Sequence, residues 1–156
     1  MKLLPDGPGP RYASLLQLLR TSETVWNASR LFFARWEISP SQFNVLNLLS
    51  GTEAGFTQIE LSRHLIMHRS NVTGLVDRLE ERGLVRREAS ATDRRTWCVV
   101  LTQDGTKLIQ EILPHYYAAA EAVWGKISAA RSAEMARDLA AIAAQADQIV
   151  AKLPRD

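Results

Sequence analysis

The run TQIELSRHLIMHRSNVTGLVDRLEERGLVRREASATDRRTWCVVLTQDG, residues 57–105, constrains the fold of this chain more than any other stretch. Thr57 and Glu60 stand at capping-box spacing and open a short amphipathic helix to about residue 66. A second helix is expected over residues 69–82, with Val72, Leu75, Val76 and Leu79 on one face. Gly83 stops it, and Leu84 is placed to pack back on it, as in a Schellman stop. Residues 85–88 and 96–101 then read as paired strands around a charged loop, Asp93-Arg94-Arg95. In the second strand Trp97, Val99 and Leu101 alternate with Thr96, Cys98 and Val100, so one face is expected to be buried. Two short helices at a tight turn, followed by a β-ribbon, make a helix-turn-helix with a wing. That shape fits a helix into a DNA major groove.

The flanks are helical. Pro5, Pro8 and Pro10 mark a loose arm. A helix over residues 12–36 carries the apolar stripe Leu15, Leu19, Trp26, Phe33 and Trp36. Ser39-Pro40-Ser41-Gln42 is a helix start, with Ser39 as cap and Gln42 reaching back, and Phe43, Leu46 and Leu49 then face inward. Gly51 and Gly55 bracket a loop. Thr102 is placed to cap a long helix to about residue 127, striped by Leu108, Ile112, Tyr116, Ala119, Val123 and Ile127. Pro114 inside it is expected to kink it near Gln110, whose carbonyl loses its donor. Ser128 caps a last helix carrying Met135, Leu139, Ile142, Ala146, Ile149 and Leu153. The expected fold is mainly α with a small β-wing, in one domain over residues 1–156. A winged helix-turn-helix at about 39–102 is flanked by long dimerisation helices at about 12–36 and 103–153. Those helices carry more apolar surface than a small winged core needs, and a second copy is its expected cover.

Composition narrows the function. With 46% hydrophobic residues the chain is not disordered. No apolar run is long enough to span a bilayer, and the N-terminus has no apolar signal core, so a cytoplasmic protein without membrane partners is expected. One cysteine, Cys98, excludes an intrachain disulfide framework. The formal charge is only +2, but residues 57–102 hold eight arginines against six acids. Residues 103–156 hold six basic and seven acidic residues, so the positive excess sits on the winged segment.

The run Leu75-Val76-Asp77-Arg78-Leu79-Glu80, then Gly83-Leu84-Val85, Asp93-Arg94-Arg95, and Leu101-Thr102 followed by Gly105, closely resembles the MarR family of winged-helix transcription regulators. Outside this segment only the helical pattern matches, roughly over residues 15–153. The resemblance implies a triangular homodimer built from the first, fifth and sixth helices. It implies binding to double-stranded DNA, most often as a repressor released by a small ligand. Two recognition helices related by a two-fold would read an inverted-repeat operator with half-sites about one helical turn apart.

On the second helix of the motif, Arg69, Ser70, Asn71, Thr73 and Gly74 cluster away from the apolar face. Hydroxyl and amide groups there can hydrogen-bond base edges, and Gly74 lets the helix approach closely. Arg69 and Arg78 are placed for phosphates or a guanine. The helix alone fits equally an ordinary amphipathic helix with a wet polar side; the wing favours DNA. An arginine at a ribbon tip can enter a narrow, A·T-rich minor groove. The family's Asp-x-Arg pattern implies Arg95 as that arginine, Asp93 as the partner that orients the cluster, and Arg94 as a phosphate contact. A plain solvated charged turn would have the same composition. His68 departs from the small hydroxyl cap that relatives usually carry at this helix start.

The family commonly binds small, often phenolic, anions between the dimer helices and the winged domain. Trp26, Ser29, Arg30 and Tyr116 are candidates for such a pocket, as an aromatic wall, a hydroxyl and a cation. No cofactor, metal or catalytic residue is expected. His64 and His68 are four apart, but the turn at 66–68 breaks their shared face, and no cysteines or clustered carboxylates lie nearby. There is no phosphate loop and no nucleophile elbow, which leaves an enzyme using His64, His68 or Cys98 without support. The chain could also be a redox-responsive regulator acting through Cys98, or a winged helix that binds protein instead of DNA. Relatives that sense oxidants carry the cysteine in the first helix, where this chain has none. A protein-binding winged helix predicts no salt-dependent duplex binding.

Overall fold

Capping signals in the sequence set the helix boundaries of the computed structural model, which describes residues 9–65, 69–90 and 95–152. His68, Asp93, Arg94 and Leu153 lie outside the described residues, as do the side chains of Arg69 and Ser70. Helix α1 (Pro10–Phe33) begins with its proline in the first turn. The expected helix through residue 36 tightens at its end into one 3-10 turn, Ala34–Trp36, closed by Glu37 at φ 56, whose N–H donates to the Ala34 carbonyl at 3.0 Å. Helix α2 (Pro40–Leu49) carries both halves of its capping box: the Gln42 N–H donates to Ser39 Oγ at 3.2 Å, and the Ser39 N–H to Gln42 Oε1 at 2.8 Å. Helix α3 (Gln58–His64) repeats the device with Thr57 and Glu60. Helix α4 (Arg69–Glu81) ends as expected: the Gly83 N–H reaches the Glu80 carbonyl at 2.8 Å, and the Leu84 N–H reaches Leu79 at 2.9 Å. Gly83 takes the left-handed φ of 68 that this double bond requires.

The backbone N–H of Thr57 and then its hydroxyl hold the Glu60 carboxyl below the usual carboxylate range. A depressed folded-state pKa stabilises the fold fully above the unfolded value, about 4.3. That stability is lost as pH falls through the lower folded value. Thr57→Ala is expected to cost about 1 kcal/mol in urea unfolding. The stability gap between wild type and Glu60→Gln should close as the solution is acidified below the carboxylate range.

Three strands form an antiparallel sheet in the order β1-β3-β2. They are β1 (Phe56–Thr57), β2 (Val85–Ala89) and β3 (Trp97–Leu101). Val85 lies opposite Leu101, Arg87 opposite Val99 and Ala89 opposite Trp97. Strand β1, opposite Val99 and Cys98, was not foreseen, because two residues show no alternation. Gly55 permits it: φ is 70, and a Cβ there would stand 2.2 Å from the Val99 carbonyl oxygen. The expected alternation in β3 is corrected. Adjacent Val99 and Val100 are both buried, while Trp97 is 60% exposed. Cys98 and Val99 in the middle of β3 are flanked by two strands, and Val100 stands against Gly55. At Trp97 only the two-stranded ribbon remains, closed by the Ser90 N–H on the Thr96 carbonyl at 2.8 Å.

The chain divides into two units between Gln110 and Glu111. In the first, the Phe33 and Phe43 rings stack at 4.4 Å, and Val45, Leu46, Leu49, Leu61, Val72, Val76, Leu79, Val85 and Val99 are buried. Each such side chain contributes about 1.5–3 kcal/mol. Helix α5 (Gln103–Trp124) is continuous through Pro114 and stops before the expected residue 127. The turn in which Pro114 removes a donor from Gln110 is also where the two units divide. Helix α6 (Ala129–Ala151) starts from Ser128, whose Oγ accepts the Arg131 N–H at 3.3 Å. It buries no side chain, leaving Leu139, Ile142, Ile149 and Val150 exposed, while α1 exposes Leu15, Leu19, Val25 and Leu31. The architecture is thus mainly α with a small β-wing.

Candidate nucleic-acid interface

Helix α4 buries Val72, Leu75, Val76 and Leu79 and turns Asn71 and Arg78 outward. Asn71, Gly74 and Arg78 are spaced i, i+3 and i+7, which places them on one helix face. A Cβ added at Gly74 would meet Arg78 Nη1 at an ordinary 3.8 Å, so the bare glycine lies beside the guanidinium on an open strip. Thr73 is half-buried, and its hydroxyl donates to Gln58 Oε1 of α3 at 2.9 Å. That proton is committed to holding the two helices together. Gln58 had no role in the sequence reading, since a glutamine in a first helical turn is unremarkable by itself.

Two arginines absent from the sequence reading fix α4 in place. Arg87 on β2 donates through Nη2 to Asp77 Oδ1 at 2.5 Å and through Nη1 to Glu80 Oε2. Its own N–H reaches Glu80 Oε1 at 3.1 Å. The hydrogen bond to Asp77, aided by the Glu80 charge, raises the guanidinium pKa above its ordinary value. Asp77 and Glu80 stand i, i+3 on one face, which is the signal that could have found the clamp. At the end of α4, Arg82 donates to the carbonyls of Glu37 at 2.5 Å and Trp36 at 3.3 Å. Helix α4 is thereby tied to the ribbon on one side and to the turn after α1 on the other.

Arg95 is exposed at the outer end of the ribbon. Cys98 is half-buried on the central strand, opposite Thr57 and Glu88. Of the pocket candidates, Trp26, Ser29 and Arg30 follow one another along α1. Trp26 is 43% exposed, and the Ser29 hydroxyl donates to the Val25 carbonyl at 2.8 Å. Tyr116 belongs to the second unit, beside Tyr117 at 6.5 Å between ring centres. Among the described residues no cluster of three or more His, Cys, Asp or Glu could hold a metal ion, and no helix is long and apolar enough to cross a membrane.

The MarR family model matches residues 36–96, from the turn after α1 through the wing loop. The chain is similar to the HTH-type transcriptional regulator PapX of Escherichia coli, 35% identical over 100 residues, 63% of this chain and 61% of PapX. It therefore spans less than two thirds of that relative's length. It is also similar to the transcriptional regulator HosA of Escherichia coli O157:H7, 30% identical over 62% of this chain and 74% of HosA. Among solved structures, CouR from Rhodococcus jostii RHA1, bound to p-coumaroyl-CoA, superposes with a TM-score of 0.76 at 28% identity, over 81% of this chain and 89% of CouR. The match across the winged segment and the coverage of HosA show that this chain belongs to the MarR family.

Proposed function

We propose that this chain is a sequence-specific, double-stranded-DNA-binding transcriptional regulator. It acts in the cytoplasm as a homodimeric repressor, without enzymatic activity, and a small ligand releases it. The observation that carries this reading is the open strip Asn71, Gly74 and Arg78 on a helix clamped beside a ribbon that ends at Arg95. Helix α4 lies in the major groove, where Asn71 and Thr73 meet base edges. Arg69, Arg78 and Arg94 meet phosphates, Ser70 adds a short donor at the helix start, and Asp93 orients Arg95 in the adjacent minor groove. The apolar residues left exposed on α1 and α6 support a second copy as their cover. Sedimentation at micromolar concentration is expected to give the mass of a dimer; a monomer there would remove the two-fold from the account.

The ligand is a small aromatic anion, a class supported by the aromatic acyl thioester held by CouR. Trp26, Ser29 and Arg30 on α1 are the residues proposed to meet it. Its coupling to DNA is reciprocal and worth about 1–3 kcal/mol, so DNA weakens the ligand by the same factor. Selection of bound sequences from a random duplex pool tests the regulator directly. An inverted repeat with half-sites about one helical turn apart is the expected product. A pool that stays random in the presence of folded protein contradicts the reading.

A further inference from the structure

We infer that Trp97 is a DNA-backbone contact, seating its indole on the sugar-phosphate ridge that separates the groove read by α4 from the groove entered by Arg95. The inference rests on the DNA-binding reading above and adds a residue to it. In an antiparallel ribbon, directly paired residues share a face. Ala89–Trp97, Arg87–Val99 and Val85–Leu101 therefore lie on one face. Arg87 identifies that face as the one turned toward α4, because its guanidinium bonds Asp77 and Glu80 there. Trp97 sits one like-facing pair farther out than Arg87, about 7 Å along the strand, on the way to Arg95.

The surroundings leave the indole open. Its cross-strand partner is Ala89, too small to cover a ring, and Trp97 is 60% exposed. Among the described residues its indole N–H has no hydrogen-bond partner. A tryptophan presents an apolar plate and one donor, which suits an interface that is apolar on one side and polar on the other. Deoxyribose supplies the apolar side and a phosphate oxygen the acceptor. One backbone strand separates a major from a minor groove, so a protein that occupies both with α4 and the wing must straddle it. Trp97 lies on the ribbon face that Arg87 turns toward α4, two residues from Arg95, and the positive excess of the winged segment draws the same ridge inward.

The test uses the full chain and a long mixed-sequence duplex, titrated across salt. Trp97→Phe keeps a strand-forming ring and removes the N–H, and Trp97→Val removes the ring while keeping strand propensity. Loss of one hydrogen bond to a charged phosphate predicts about tenfold weaker binding for the first, and loss of the plate as well about thirtyfold for the second. Neither should change the salt slope, because no charge is removed. The tryptophan fluorescence change caused by the duplex should be lost in both variants. Wild-type binding that survives both substitutions with affinity and fluorescence change intact overturns the assignment and leaves the DNA reading standing. A wild-type chain that binds no duplex overturns both. Variants that lose the dimer's mass in sedimentation place the indole against a second copy and overturn it also.

Discussion

Gly105→Ala is expected to destabilise the fold by about 3 kcal/mol, the upper end for forcing extra carbon into a packed site. Gly105 is buried in the first turn of α5, and a Cβ there would stand 2.0 Å from the Leu84 carbonyl oxygen and 3.2 Å from Leu101 Cδ2. Neither side can yield cheaply. The Leu84 carbonyl accepts the Thr102 N–H at 3.1 Å, and Thr102 Oγ1 donates to the Gly83 carbonyl at 2.6 Å while accepting the Gly105 N–H at 3.0 Å. This knot joins the stop of α4, the start of β2, the end of β3 and the cap of α5. The methyl must break at least one of those bonds or push α5 off the ribbon. Gly51→Ala is the matched control: the added carbon meets only the Leu48 carbonyl at 3.5 Å, and its φ is not left-handed. There the smaller entropy of the unfolded chain should stabilise by about 0.4–1 kcal/mol. Urea unfolding of both variants at one protein concentration checks the pair. An unchanged midpoint for Gly105→Ala would contradict the packing described here.

Arg95→Ala and Asn71→Ala should separate the two DNA-reading elements. Removing Arg95 is expected to weaken binding to every duplex and to flatten the salt dependence by about one phosphate-equivalent per half-site. Preference for A·T pairs flanking the half-sites should fall with it. Removing Asn71 should instead erode discrimination at one or two positions by about 1–3 kcal/mol, the worth of a bidentate base contact, with the salt slope unchanged. The residues lie on separate elements, so the double variant should be nearly additive. Salt-titrated binding to a selected operator and to a scrambled duplex measures all three. An Arg95→Ala chain with wild-type affinity and slope would make the wing a plain solvated turn.

Local chemistry was legible where one short stretch decides the outcome. The caps at Ser39, Thr57, Thr102 and Ser128 and the stop at Gly83 all form as read, because each needs only a side chain and a backbone group within a turn. What stayed hidden depends on residues brought together from a distance. Strand β1 exists because Gly55 lets its backbone lie against Val99, which no periodicity reveals. Trp97 reads as an inward residue of an alternating strand, yet the ribbon outruns the core before reaching it. Within the candidate site, helix spacing puts Asn71, Gly74 and Arg78 on one face, and α4 turns Asn71 and Arg78 to the surface. The clamp of Arg87 on Asp77 and Glu80 was missed, since the arginine lies on the next element and its role appears only once β2 folds against α4.

Groove-resolved footprinting on a selected operator tests the central claim most directly. Methylation of guanine N7 probes the major groove, and hydroxyl-radical cleavage probes the backbone along the minor groove. The account predicts two major-groove protections about one helical turn apart, each flanked on its outer side by a minor-groove protection. In Arg95→Ala the outer protections should vanish while the inner pair remains. Protection confined to one groove, or a pattern that Arg95→Ala leaves whole, would contradict a helix and a wing reading neighbouring grooves.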